Sequence, residues 1–466
     1  MNIQLNTFLL ASLYFIYSAL LSNNLLITAV GISFTLYLFL IFLHKIGKEL
    51  PIKELIVLIA ASQWIVGAKI GYNIGKVHYK YYMYVEEETY MSFVVPGVIF
   101  FYLGLILLKN SLSISAITTY VERNRANTLQ SAKLVLTIGL ISFLVSRTIR
   151  IPQISFIFFL SNLLIYVAAA HFMFLFPKHK FRIFFSVLLF MLILSLQSGF
   201  FHDLIILAAF LSFFLFSDRT TYIVKLAVIS LGFSGLYIIQ VVKSEYRAII
   251  WESQGNVSVF AAFYNVLENE FTPKATYTTV NLNPNQEEEE TANVNTRLNQ
   301  GWIISKIMEN VPKNQAYLKG STITEAIESA ILPRFLFPNK KGAEQALINF
   351  RTISGIDLNK GTSMGLSVIG EFYANYGVYG AWLAMLLYGL FLALIIKLLI
   401  KGLAGGSPII LLWFLLFFFQ VVKAETDFIK IFNHLIKSLL FFVLLRFVLK
   451  LFNLQLFPQN PKEIVQ

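Results

Sequence analysis

Residues Val378–Ile396 read VYGAWLAMLLYGLFLALII, without one formal charge. A helix needs about 20 consecutive apolar residues to cross a bilayer, within a working range of roughly 17 to 25. This stretch is long enough, and it has company: Leu25–Leu43 and Ile154–Phe176 share its character. The whole chain of 466 residues is 57% hydrophobic and only 13% charged, against about 25% charged residues in an ordinary soluble domain. It holds 45 Phe and 22 Tyr against 12 Pro and no Cys. That composition argues against a soluble enzyme, a disordered chain, a disulfide scaffold and a nucleic-acid binder. It predicts an all-α polytopic membrane protein.

Working outward from these blocks, the apolar runs and their breaks predict twelve transmembrane helices, at about 7–22, 25–43, 55–73, 91–108, 132–146, 154–176, 183–201, 204–216, 222–242, 375–400, 408–422 and 437–455. The first lacks a basic flank and a small-residue cleavage site, so it reads as an uncleaved span. The run at 204–216 is short for a simple crossing. Losing it would invert everything that follows. The organisation is then about nine spans in 1–242, a large polar segment in 243–371, and about three spans with a short cytoplasmic tail in 372–466.

The formal charge of +12 is unevenly spread. Lys243–Glu371 carries 12 basic and 14 acidic residues, and the remainder carries 25 and 11. The basic excess therefore flanks the spans, where Lys and Arg set topology and meet anionic lipid. With both termini cytoplasmic, inside segments and adjoining helix ends hold 17 basic residues against 7 on the short outside segments. The bias predicts an inner-membrane protein whose polar segment is a periplasmic loop.

Within that segment, Asn281–Asn295, with Glu287–Glu290 consecutive, reads as a solvated loop because adjacent acids repel. Trp302–Val311 and Ile323–Ile331 read as helices. In the second, Ile323, Ala326, Ile327, Ala330 and Ile331 share one face, and Pro333 ends it. This is the pattern of an amphipathic helix on the bundle mouth or in the membrane interface.

No phosphate-binding Gly-Lys loop, no His-Glu-x-x-His and no Asp-x-Asp pair occurs, so neither nucleotide donors nor metal hydrolysis are indicated. What remains is a set of cations beside apolar helices on the outer side. Arg147 and Arg150 end the fifth helix on one face, and Lys243 and Arg247 end the ninth at i, i+4. Headgroup contact is the plain explanation for any single one. The set points to a pyrophosphate pocket, because an Arg fork matches phosphate oxygens bidentately and keeps its charge when partly dry. In the loop, Arg297 precedes a helix, and Arg334 and Lys340 lie in a Pro-framed basic stretch. If the following apolar helix starts near Ser363, then Ser367, Glu371 and Asn375 share a face, and a Glu at the lip of a span is costly unless paired or functional.

These residues stand in an order that resembles a known family. Lys243-x-x-Tyr246-Arg247, Arg297, Gly320-Ser321-Thr322, Pro333-Arg334-x-x-x-Pro338-x-Lys340 and Gly370-Glu371-x-Tyr373-x-Asn375-Tyr376-Gly377-x-x-Gly380 look like the Wzy-type oligosaccharide repeat-unit (O-antigen) polymerases. The motifs cover residues 243–380. Lys341 departs from the pattern, where the family more often has Pro. The resemblance implies a GT-C-like membrane glycosyltransferase with no cofactor, acting on undecaprenyl-pyrophosphate-linked glycans at the periplasmic face, alongside flippase and chain-length regulator proteins.

Joined to the residue reading, it predicts a metal-independent polymerase. Arg147, Arg150, Lys243, Arg247, Arg297, Arg334 and Lys340 would contact pyrophosphate or sugar, with Arg247 and Glu371 catalytic and Glu371 the candidate base. An O-antigen ligase-like transfer to lipid A-core is the nearest rival. A transporter or flippase of lipid-linked oligosaccharide is the second, although the cation deepest in a span before the loop is Lys69, late in its helix, and transporters place their sites at mid-membrane.

Overall fold

The computed structural model describes residues 3–20, 24–74, 82–110, 112–149, 154–252, 257–271, 299–331, 343–357, 364–452, 454 and 456. Every apolar block is helical, as it must be where no water is present to satisfy backbone N–H and C=O groups. In chain order the helices are α1 (Ile3–Leu20), α2 (Leu26–Lys45), α3 (Ile52–Ile74), α4 (Glu87–Ile106), α5 (Ile114–Arg123), α6 (Arg125–Thr148), α7 (Ser155–Leu175), α8 (Lys180–Ser198) and α9 (His202–Leu215). They continue as α10 (Tyr222–Glu252), α11 (Val259–Phe271), α12 (Gly301–Asn310), α13 (Ser321–Ile331), α14 (Ala343–Ser354), α15 (Val368–Lys397), α16 (Pro408–Phe418) and α17 (Phe428–Leu451). Among the described residues there are nine helices long and apolar enough to cross a membrane, and shorter apolar helices at Asn6–Leu20, α9 and α16. Each of the twelve expected apolar segments is thus a helix. The first limit of the polar segment falls inside the continuous helix α10, and the second in the first turn of α15.

Side-chain contacts sort the helix ends into two groups. At one end of the bundle, called here the tail end, cations donate to carbonyls that other helices leave unpaired at their C termini. Lys225 Nζ reaches Leu43 O at 3.0 Å in the last turn of α2 and Ile46 O at 2.6 Å just past it. Lys53 Nζ reaches Leu108 O at 2.8 Å, past α4, and Lys180 Nζ reaches Leu215 O at 2.5 Å, at the end of α9. Arg446 donates to Leu403 O, where α15 has run out through a π turn. The last carbonyls of a helix have no intrahelical donor and carry the negative end of its dipole, so a cation there is favourable. The short helix α9 is held at both ends of the bundle, by Lys180 at Leu215 and by the pairing of His202 with Glu425 at its start. At about 1.5 Å per residue it is shorter than the ~30 Å hydrocarbon layer, yet its direction alternates as the twelve-helix reading requires.

The core is built around α16. Every residue from Ile409 to Phe419 is no more than 2% exposed, as expected of a helix apolar on all sides. Its first part, Pro408–Trp413, is 3₁₀, which rises about 2.0 Å per residue and stretches a short segment further. Beside it, α4 and α15 cross at backbone contact. A Cβ on Gly104 would lie 2.2 Å from Leu386 O, and one on Gly389 would lie 2.3 Å from Phe101 O.

Helix α15 breaks at Gly377, where φ 68° and ψ −168° are open to glycine alone. The carbonyls released before the break accept from the loop segment, Leu318 N–H to Ala374 O at 3.0 Å and Lys319 N–H to Asn375 O at 3.1 Å. The expected start near Ser363 is corrected, because Met364–Ser367 are not helical. The described helix begins at Val368, after Ser367 at φ 61°. In α13 the buried side chains are Thr322, Ala326 and Ser329, while Ile327 is 41% exposed. The polar side chains turn inward because partners wait there: Asn375 Nδ2 donates to Thr322 Oγ1 at 2.8 Å, and Asn433 Nδ2 to Ser329 Oγ at 2.6 Å.

Candidate functional site

At the opposite end of the bundle, here the loop end, α10 carries Lys243 and Arg247 one turn apart, hence on one face. Arg247 Nε donates to Gly199 O at 2.7 Å, just past α8, and its guanidinium lies 5.3 Å and 5.5 Å from the ring centres of Phe200 and Trp251. Tyr246, between them, is fully buried and donates to Leu196 O at 2.7 Å. Burial pushes its phenol up to about 12, so it remains a neutral donor. These contacts clamp α10 onto the turn that joins α8 to α9.

The far side of that turn is charged. His202 Nε2 lies 3.4 Å from Glu425 Oε1, and Asp203 Oδ1 lies 3.3 Å from Lys423 Nζ. Lys243, Lys423, Asp203 and Glu425 all contribute to the electrostatic field at His202. Lys423 also sits 4.2 Å from the ring centre of Phe419. Two elements far apart in sequence are thus joined by two acid–base pairs.

The same loop continues into a buried carboxylate pair. Asp427 Oδ1 accepts from Leu366 N–H at 2.5 Å, and its Oδ2 lies 2.8 Å from Lys430 Nζ. Glu371 Oε2 accepts from Phe428 N–H at 2.8 Å, the first residue of α17. Thr322 hydrogen-bonds the Glu371 side chain. Asn375 accepts from Gly320 N–H at 2.9 Å and donates to Glu371 O at 2.8 Å. Glu371 and Asn375 are buried on one face of α15, as their spacing predicts, whereas Ser367 is buried just before the helix in a left-handed conformation, outside the helical register expected for it.

The structure therefore brings Lys243, Arg247 and Glu371 into one polar layer, linked by the segment from Phe419 to Phe428. Arg147 is exposed at the end of α6, with its guanidinium 5.1 Å from the Phe143 ring centre. Arg150, Arg297, Arg334 and Lys340 lie outside the described residues, as does Glu287–Glu290. Lys69 pairs with Glu87 Oε2 at 2.9 Å, and Thr28 Oγ1 donates to Glu87 Oε1 at 2.7 Å. That pair sits at the first turn of α4, not at mid-bundle. Among the described residues no group of three His, Asp or Glu side chains is placed to share a metal ion.

Sequence reasoning missed His202, Asp203, Glu425 and Asp427 and passed Lys423 over as a topology marker. The available signal was the cluster of two acids framed by two lysines, Lys423, Glu425, Asp427 and Lys430, between two apolar blocks. Chemically, the layer offers several cations at the lip of a bundle beside a carboxylate that is sheltered from water.

A family model described as a domain of unknown function (DUF8712) matches residues 7–456. No curated protein matches the chain, and no solved structure does.

Proposed function

We propose that this chain, which belongs to the DUF8712 family over nearly all its length, is a membrane glycosyltransferase that polymerises polyprenyl-pyrophosphate-linked oligosaccharide repeat units. The observation that supports this most is the convergence of Lys243, Arg247, His202 and Lys423 at the loop end, joined through one short segment to the buried Glu371. In the reaction, a hydroxyl oxygen of the acceptor sugar attacks the anomeric carbon of the donor. The bond from that carbon to the pyrophosphate oxygen breaks, and polyprenyl pyrophosphate leaves with the electron pair. Negative charge grows on the leaving group, and cations fixed in a partly dry site stabilise it without a metal ion. The hydroxyl proton needs an acceptor, for which Glu371 is the candidate. In the described arrangement its carboxylate holds Phe428 N–H, so an acceptor hydroxyl would have to take that place.

The inner-membrane location, the periplasmic placement of the loop and a GT-C-like arrangement belong to this proposal, as do Arg147, Arg150, Arg297, Arg334 and Lys340 as further contacts. The products separate it from its rivals. Purified protein given a synthetic polyprenyl-pyrophosphate repeat unit should yield a ladder. A single addition, seen only when lipid A-core is supplied, would instead identify a ligase, and no transfer with retained binding would favour a carrier.

A further inference from the structure

We infer that Lys423 is a diphosphate-binding cation and that Asp203 is the resident counter-ion which an incoming lipid-borne diphosphate displaces. The inference rests on the reading of the loop end as a site for such a lipid, and it adds residues that reading did not contain. The two partners are unequally exposed. The Lys423 side chain is 11% exposed, whereas that of Asp203 is 58% exposed, and they stand 3.3 Å apart. A sheltered ammonium is costly without an anion beside it. An exposed carboxylate gives up little on returning to water, since an ion pair at the surface contributes only about 0–1 kcal/mol. Exchange of Asp203 for another anion is therefore inexpensive on the acid's side, and it leaves Lys423 paired throughout.

The surroundings fit an anion with more than one charged group. Lys243 on α10 and Lys423 in the loop after α16 both act on the His202 ring, and Arg247 grips the turn just before it through Gly199 O. Glu425 stays with His202 at 3.4 Å, which keeps the loop seated when Asp203 swings out. Lys423 itself is steadied by the Phe419 ring, in the fully buried part of the chain after α16. The phosphates would lie where α10 leaves its apolar run, so that a hydrocarbon tail attached to them remains among the spans.

Full-length protein in lipid nanodiscs tests this with geranylgeranyl pyrophosphate as the probe and geranylgeraniol as the control without phosphate. Lys423→Gln should weaken pyrophosphate binding about tenfold or more and leave binding of the alcohol unchanged, while Lys423→Arg should retain most of the affinity. Asp203→Asn removes the competing anion. Its thermal midpoint should fall in the empty protein, recover on adding the pyrophosphate, and show tighter binding than wild type. If Asp203→Asn loses affinity as Lys423→Gln does, the pair is a structural strut and the inference fails. It fails equally if a folded Lys423→Gln protein binds as wild type does. A polymer assay separates the two levels. If wild type makes polymer and Lys423→Gln matches it in both kcat and KM, the role of Lys423 falls and the polymerase reading stands. If the binding pattern is found and no lipid-linked repeat is ever polymerised, the counter-ion exchange stands and the polymerase reading falls.

Discussion

Glu371 and Asp427 tie the starts of two helices together. Glu371, in the first turn of α15, takes the N–H of Phe428 at the start of α17, and Asp427, at the N-cap of α17, takes the N–H of Leu366 as the chain enters α15. Helix N termini leave N–H groups without intrahelical partners, and their dipoles favour nearby negative charge. Two buried carboxylates are thereby held where each has a reason to be. The same pair fixes the end of the loop that carries Lys423 and Glu425, so the cap geometry and the charged layer stand or fall together.

The capping role and the role of base predict different behaviour. Glu371→Ala leaves the Phe428 N–H buried without an acceptor, at a cost of about 1–3 kcal/mol, and should lower the thermal midpoint clearly. Glu371→Gln keeps an acceptor oxygen and should unfold close to wild type. If the carboxylate also takes the acceptor proton, Glu371→Gln loses polymer while keeping its fold. Full polymer from Glu371→Gln would leave Glu371 with the cap alone.

Topology can be read directly because the chain contains no cysteine. Lys313 and Arg219 are both exposed, the first at the loop end after α12 and the second at the tail end between α9 and α10. In spheroplasts, Lys313→Cys should react with an impermeant maleimide, and Arg219→Cys only after lysis. The reverse pattern would turn the protein over in the membrane and remove the proposed periplasmic site.

Much of this fold was legible in the sequence because its strongest determinant is local. A run such as Val378–Ile396 has to be helical in a bilayer whatever surrounds it, and the spacing of Glu371 and Asn375 was enough to put them on one face. What failed to show was set by distant partners. On α13 the isoleucines have the right period for a buried face, yet Thr322 and Ser329 face inward because Asn375 and Asn433 offer them hydrogen bonds. Lys423 and Asp203 read as two isolated charges until the fold brings the start of α9 against the loop after α16. The tail-end cations were also half read. Charge bias marks them as helix-flanking residues, but the use of Lys225 as a cap on α2 depends on carbonyls that only the packed structure presents.

The crossing of α4 and α15 gives a packing test. Gly389→Ala drives a Cβ into the Phe101 carbonyl, and backbone cannot rotate away as a side chain can. Overpacking of this kind costs about 1–3 kcal/mol, so the thermal midpoint should drop. Gly232→Ala, on α10 with open space around it, should be neutral or mildly stabilising. Equal responses from the two variants would mean that the helices are not in backbone contact.

Arg247 distinguishes a catalytic cation from a helix clamp. Its Nε already holds Gly199 O, a contact that a lysine can also make. A bidentate grip on phosphate is one that it cannot. If the grip tightens as charge develops on the leaving group, Arg247→Lys should lower kcat more than it raises KM. The loss of one such donor costs roughly 2.7–4 kcal/mol, or about 10²–10³ in rate. Near-wild-type polymer from a normally expressed Arg247→Lys protein would assign Arg247 to the clamp.

The most direct test counts leaving groups. Purified protein is incubated with a synthetic polyprenyl-pyrophosphate-linked repeat unit in the presence of EDTA, and both the glycan length and the free polyprenyl pyrophosphate are measured over time. The account predicts a ladder of lipid-linked products, with one polyprenyl pyrophosphate released for each linkage formed, undiminished by the chelator. Release of polyprenyl pyrophosphate without chain growth, a strict and restorable need for Mg²⁺ or Mn²⁺, or an unchanged substrate would contradict it.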